Sequence, residues 1–279
     1  MPDKRSILKQ GQIDILEVLY KYRFGSRQLV AESLGVKVGS NLYEKLQVLI
    51  KHGLVAMRHE KHLKLQGVPA AYYLTPKGLK ALQALDGHEY INEAVIKASY
   101  RDKVLSQAFI NHTLSVFRCT NALKRAYPGT KVYLRRDMSR YSYFPSPLPD
   151  AFLSLPMDGS KQPKRFFLDI IAEATPRRAL DVRLSNYCEF FEEGGWDVTG
   201  SDWPTLVLIS EKGNSEKFLQ RTARAVLSRN DIEELDMLTS TVQAVSQGEA
   251  NSKILTHIDE HDELLDLTDR EVSNSDSRS

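Results

Sequence analysis

Residues 145–174 read PSPLPDAFLSLPMDGSKQPKRFFLDIIAEA, and how this stretch folds decides the rest. DAFLSL and KRFFLDIIAEA are runs of strand length, rich in aromatic and β-branched residues, and MDGSKQP between them is turn-forming. Each run brings one carboxylate, Asp150 and Asp169. Alternate residues of a strand share a face, so Asp169, Ile171 and Glu173 point the same way.

The pattern extends in both directions. Upstream lie a helix near Asp102 to Tyr127, with a strand in TKVYLRR after it. Downstream, TPRRALDVRLSNYCEFFEEGG reads as a helix with Leu180, Leu184, Tyr187, Cys188 and Phe191 as its buried stripe. PTLVLIS is a short apolar strand, and SEKFLQRTARAVLSR a final helix. A strand, crossover helix and strand pack in a right-handed sense, so Thr205 to Ser210 is expected beside the meander. The order α-β-β-β-α-β-α resembles the restriction-endonuclease-like fold, placed here over residues 87–230 of an α+β chain.

That resemblance implies two acids on neighbouring strands holding Mg²⁺, and a lysine two residues past the second acid to activate water. Ile171 stands at the lysine's place, and a hydrocarbon can neither position a nucleophile nor stabilise an oxyanion. Arg177, Arg178 and Arg183 on the next helix are the candidate displaced cations. Arg183 is best placed, one turn from Leu180 and Tyr187 on the sheet-facing side. Arginine orients phosphate well but is a poor base. If the site is active, Asp150, Asp169 and Arg183 are its groups and Asp150 and Asp169 its metal ligands; otherwise no cofactor is expected.

Residues 1–86 follow a different pattern. QIDILEVLYKYRF places Ile13, Leu16, Leu19 and Tyr20 on one helical face. GSRQLVAESLG is a short second helix with Ser26 as N-cap and Gly35 as stop. VKVGSNLYEKLQVLIKHG is a third, burying Leu42, Leu46, Leu49 and Ile50. Its other face offers Ser40, Asn41, Tyr43, Glu44, Lys45, Gln47 and Lys51. Leu54 to Arg58 and Ala71 to Leu74 form a hairpin whose loop carries Arg58, His59, Lys61, His62 and Lys64. Thr75 then caps a helix with Pro76 at its first position. Three short helices, a basic hairpin and the YYLTPKG exit resemble winged helix-turn-helix domains. In such domains the third helix reads base edges, and here Arg58, Lys61 and Lys64 would meet phosphate or the minor groove.

Hydrophobic residues at 42% and charged ones at 27% are ordinary for a soluble globular chain. No apolar run has the length of a signal peptide or membrane span, and two cysteines within apolar helical patterns suit a reducing cytoplasm. The net charge of +2 is divided unevenly: residues 1–230 carry 35 Lys/Arg against 23 Asp/Glu, and residues 231–279 carry 3 against 13. A surplus of +12 on the body and −10 on the tail points to a polyanionic partner for the body. The tail reads as one helix over 231–247, followed by an acidic disordered segment.

INHTLSV in the first long helix, then LPDAFLSL, RFFLDI, RLSNY and TLVLIS, are together similar to the replication-relaxation family, over about residues 10 to 230. Family members tend to carry PDA, then Phe-x-x-Glu-x-Asp, then a Lys four residues before a Tyr. Asp150 matches the first acid, Asp169 replaces the glutamate, Ile171 the second acid, and Arg183 the lysine before Tyr187. The resemblance implies a plasmid or integrated-element protein acting in replication, DNA relaxation or mobilisation. Its expected partners are double-stranded DNA and relaxase or replication proteins, with homodimers on two-fold sites. A Mg²⁺-dependent endonuclease or nickase using Asp150 and Asp169, and a simple transcriptional repressor, remain as alternatives.

Overall fold

The computed structural model describes residues 8–60, 64–65, 67–157, 159–160, 162–249, 252–259 and 263–268. The chain divides into two compact units, 1–121 and 122–279.

In the first unit α1 (Gln10–Tyr22), α2 (Arg27–Ser33) and α3 (Ser40–Lys51) occupy the predicted positions. Ile15, Leu16 and Leu19 of α1 and Leu42, Leu46 and Leu49 of α3 are buried, so each apolar stripe has found a core. Ser26 caps α2 by accepting from the Leu29 N–H at 3.2 Å. The strands β1 (Val55–Arg58) and β2 (Ala71–Leu74) pair antiparallel, Val55 opposite Leu74.

The LTPKG sequence joins this hairpin to α4 (Pro76–Gln83) through a dense set of bonds. The Thr75 hydroxyl donates to the Gly53 carbonyl at 2.7 Å and accepts from the Gly78 N–H at 3.0 Å. Lys77 donates to the His52 carbonyl at 2.9 Å. Gly78 is required because a Cβ there would lie 2.0 Å from the Leu54 carbonyl oxygen.

Residues beyond 86 belong to the same unit. α5 (Glu93–Ser99) and a 3₁₀ turn at Asp102–Val104 lead into the long α6 (Gln107–Ala126). Arg23 donates through Nε and Nη2 to Asp102 Oδ1, at 3.0 and 2.6 Å. Tyr22 stacks on Phe117 with ring centroids 3.6 Å apart, and Asn121 donates to the Leu29 carbonyl at 3.0 Å. Gly25 permits this approach: a Cβ there would sit 3.1 Å from the Phe117 ring.

The second unit is built on a sheet. β3 (Lys131–Leu134) is followed by the one-turn helix α7 (Arg135–Met138), then β4 (Ala151–Leu155) and β5 (Lys164–Ile171). α8 (Arg177–Glu192) crosses to β6 (Thr205–Ser210), and α9 (Glu216–Arg229) to β7 (Met237–Thr241). α10 (Val242–Gln247), β8 (Leu255–His257) and β9 (Leu264–Leu265) complete the described residues. Among these residues the seven strands of this sheet run in sequence order, β3 to β9. The meander β3-β4-β5 is antiparallel, β6 lies parallel to β5 as expected, and β7 is parallel to β6. Phe152, Phe167, Leu206, Leu208 and Met237 pack in one cluster with Leu180, Leu184 and Tyr187 of α8 and Leu219, Ala223 and Val226 of α9.

The tail departs from expectation. Residues 237–241, predicted helical, form β7, and the segment predicted to be disordered supplies β8 and β9. The open edge of β6 offers unpaired N–H and C=O groups, and the MLTST run satisfies them better extended than coiled. The acidic segment also contains buried Leu255, Ile258 and Leu267, which bring it onto the sheet. Tyr127 fixes it further, donating to Asp266 Oδ2 at 2.9 Å. Neither Cys119 nor Cys188 is in a disulfide, and both are buried. No helix among the described residues is long and apolar enough to cross a membrane.

Candidate functional site

The β4–β5 register, Ala151 opposite Leu168, continues outward to put Asp150 opposite Asp169. The two acids exchange bonds across that position. The Asp150 N–H donates to Asp169 Oδ1 at 3.0 Å, and the Ile170 N–H donates to Asp150 Oδ2 at 2.9 Å. Phe167, Asp169 and Ile171 share the face under α8, where Phe167 stacks on Tyr187 at 6.1 Å. The sequence therefore brings both carboxylates together as predicted.

A guanidinium fills the space between them and α8. Arg183 donates through Nε to Asp169 Oδ2 at 2.7 Å and through Nη2 to Oδ1 at 3.0 Å, a bidentate pair. It also donates to the carbonyls of Pro147 and Leu148 and to the Tyr187 hydroxyl. Tyr187 in turn donates to Asp169 Oδ2 at 2.9 Å. Arg135 pairs with Asp150 Oδ1 at 2.9 Å from a largely exposed position. Ile171 packs on the core cluster, while Glu173, expected on the same face, lies in the turn after β5 ends, where it is exposed and pairs with Lys212.

Burial pushes the Asp169 carboxyl above its ordinary value, and Arg183 opposes this. Burial likewise works against the Arg183 charge, but Asp169 foremost, then Tyr187 and Asp150, outweigh it and raise its pKa. Tyr187 is raised too, by burial and then by Asp169. Every group that hydrogen-bonds Asp169 is a donor and Arg183 forms an ion pair with it, while burial foremost, and then the Asp150 charge, work against its ionisation.

This arrangement does not fit a divalent cation. Mg²⁺ needs free carboxylate oxygens and room for its waters, and here the four oxygens already accept from Arg183, Tyr187, Arg135 and two backbone N–H groups. Among the described residues no third His, Cys, Asp or Glu joins them. The guanidinium supplies the positive charge that a metal would otherwise bring.

The α3 face is arranged differently. Ser40, Asn41, Tyr43, Glu44, Gln47 and Lys51 are exposed, opposite buried Leu42, Leu46 and Leu49. Lys45 is half-buried, with its ammonium over Gly11 of α1. Arg58 is occupied within its own unit, donating to the carbonyls of Lys103 at 2.9 Å and Leu105 at 3.1 Å and to Glu60 at 3.0 Å. Lys64 is exposed, whereas Lys61 and His62 lie outside the described residues. His59 hydrogen-bonds the Val68 carbonyl at 3.0 Å. Sequence reasoning passed over Arg27, exposed at the start of α2 with its guanidinium 5.7 Å from the Tyr43 ring. Its place directly after the Ser26 cap was the available signal.

No curated protein matches the chain. Among solved structures it has a likeness to the restriction endonuclease FokI at 13% identity and a TM-score of 0.34, covering 85% of this chain and 43% of that one. A likeness this low carries no argument. The chain thus spans under half the length of that protein. The family profile described as "Replication-relaxation" matches residues 16–197, well over half of the sequence and including Asp150, Asp169, Arg183 and the α3 face. The chain belongs to the replication-relaxation family.

Proposed function

We propose that the chain is a cytoplasmic, double-stranded DNA-binding protein of a plasmid or integrated mobile element, acting in its replication, relaxation or mobilisation. The observation that carries this reading is the unoccupied polar face of α3, with Asn41 and Gln47 exposed on a helix anchored by three buried leucines. A helix fits the major groove, where Asn and Gln make bidentate bonds to adenine. In this reading α1 to α3 and the β1–β2 hairpin act as a winged helix-turn-helix, with Lys51 and Lys64 on phosphate. The second unit is then an endonuclease-like frame that contacts DNA or assembles with a relaxase or replication protein without cutting. Closure of its acid pair by Arg183 supports that role.

Binding of the purified chain to duplex DNA should weaken linearly, log K against log salt, as phosphate contacts release counterions. A chain that ignores duplex DNA in dilute buffer overturns the reading. A second reading, a Mg²⁺- or Mn²⁺-dependent endonuclease or nickase, draws on the direct opposition of Asp150 and Asp169 and requires Arg183 and Arg135 to release their oxygens first. Supercoiled plasmid with Mn²⁺ decides it: nicking that disappears in Asp150→Ala establishes the nickase, and intact plasmid dismisses it.

A further inference from the structure

The stretch after α6 carries a mixture of cations and rings that neither α3 nor the acid pair explains. Lys131, Tyr133, Arg135, Arg140 and Tyr141 are all exposed. Tyr133 is 37% and Tyr141 51% exposed. β3 is the outermost strand on its side of the sheet, and its alternation turns Lys131 and Tyr133 outward with Val132 and Leu134 inward.

Tyr133 and Tyr141 are joined through one run of aromatic rings, and Lys131 and Arg140 are their near neighbours in sequence. Tyr133 lies 5.8 Å from Phe152, Phe152 lies 5.4 Å from Phe144, and Phe144 lies 6.4 Å from Tyr141. Phe144 and Phe152 are buried in the core cluster, so the two exposed tyrosines stand on a rigid aromatic base. Tyr141 is also 5.2 Å from the Tyr143 ring. The acids nearby are turned inward. Asp137 accepts from the Leu134 N–H at 2.9 Å, and Asp150 is buried beneath Arg135. What faces outward is cationic and aromatic.

Exposed rings between cations suit unpaired nucleotides, whose bases stack on the rings while the cations follow the phosphates. In a duplex the base faces are already covered by their neighbours. We propose that this face of the second unit binds single-stranded DNA, with Tyr133 and Tyr141 as stacking platforms and Lys131 and Arg140 along the backbone. The proposal goes beyond the duplex reading and uses none of the α3 residues. Proteins that serve replication meet melted as well as paired DNA, and two surfaces would let one chain hold both.

The test is fluorescence anisotropy of the full-length chain with a labelled thymidine oligonucleotide and, separately, a labelled duplex. The single strand should bind, and Tyr133→Ala and Tyr141→Ala should each weaken it by roughly tenfold. Tyr141→Phe should keep most of the affinity, because the ring does the stacking. Thermal unfolding should be little changed in Tyr141→Ala, the more exposed of the two, which separates lost contact from lost fold. Photocrosslinking a bromouracil strand should label the peptide containing Tyr141. No single-strand binding, or alanine variants that bind as wild type, overturns the proposal whatever the duplex does. Loss of duplex binding alone, with Tyr-dependent single-strand binding kept, overturns only the α3 reading. A uridine RNA that competes better than the DNA strand overturns the assignment to DNA.

Discussion

The third helix and the Asp169–Arg183 site contain the same kinds of groups, amides, cations and a carboxylate, in opposite states of use. Around Asp169 the polar groups are matched inside the protein: the carboxylate accepts from Arg183, Tyr187 and a backbone N–H, and the guanidinium's remaining bonds go to two carbonyls and the Tyr187 hydroxyl. On α3 the polar side chains are exposed over a buried leucine stripe, and their bonding capacity is directed outward. A buried polar group must be paired to be tolerated, so it is committed to the fold; an exposed one is available to a partner. In the proposed reading, the difference gives stability to one region and recognition to the other.

The largest effect should come from breaking the committed region. Arg183→Met leaves Asp169 buried without its counter-charge and should cost about 3–5 kcal/mol in urea unfolding. Converting Asp169 to Asn in the same chain should recover part of that loss. If Arg183→Met is neutral, the pair is not holding the sheet to α8 and the comparison fails. Gly78→Ala forces a methyl against the Leu54 carbonyl in the first unit, and a destabilisation of about 1–3 kcal/mol is expected from overpacking.

The recognition region should show the reverse behaviour. Gln47→Ala or Asn41→Ala should leave stability within about 0.5 kcal/mol, while duplex affinity falls by about 1–3 kcal/mol and sequence preference relaxes. A Gln47→Ala protein as unstable as Arg183→Met would erase the distinction.

The smallest test concerns pH. Asp236 accepts from Thr205 at 2.8 Å and faces His257 Nε2 at 3.2 Å. Burial pushes its carboxyl up, but the His257 and Thr205 bonds outweigh burial and hold it below its ordinary value. A depressed folded pKa gives stability that is complete above the unfolded value, about 3.9, and is lost as pH falls through the folded one. Asp236→Asn should therefore flatten the acid limb of a melting-temperature profile. An unchanged limb would show that the β7–β8 junction does not depend on this charge.

Much of the fold was legible in local pattern. The leucine spacing of α3, the caps at Ser26 and Thr75, and the hairpin at 55–58 and 71–74 each rest on a rule satisfied within a few residues. The meander and β6 were legible for the same reason; that Asp150 and Asp169 sit on neighbouring strands was implied by the endonuclease-like resemblance, and their direct opposition was set by the register. Arg183 was singled out by its spacing from Leu180 and Tyr187, but its dual grip on Asp169 and the 147–148 carbonyls depends on where a distant turn lies.

The sequence by itself therefore determined the helices, the paired strands and the positions of the two acids, because periodicity and capping act over one or two turns of chain. Tertiary structure alone decided that residues 237–241 extend, that the acidic tail joins the sheet, that Arg58 is spent on Lys103 and Leu105, and that Lys45 folds over Gly11. Each of those outcomes depends on a partner far along the chain. An open strand edge or an unpaired carbonyl exists only once the rest of the protein has placed it.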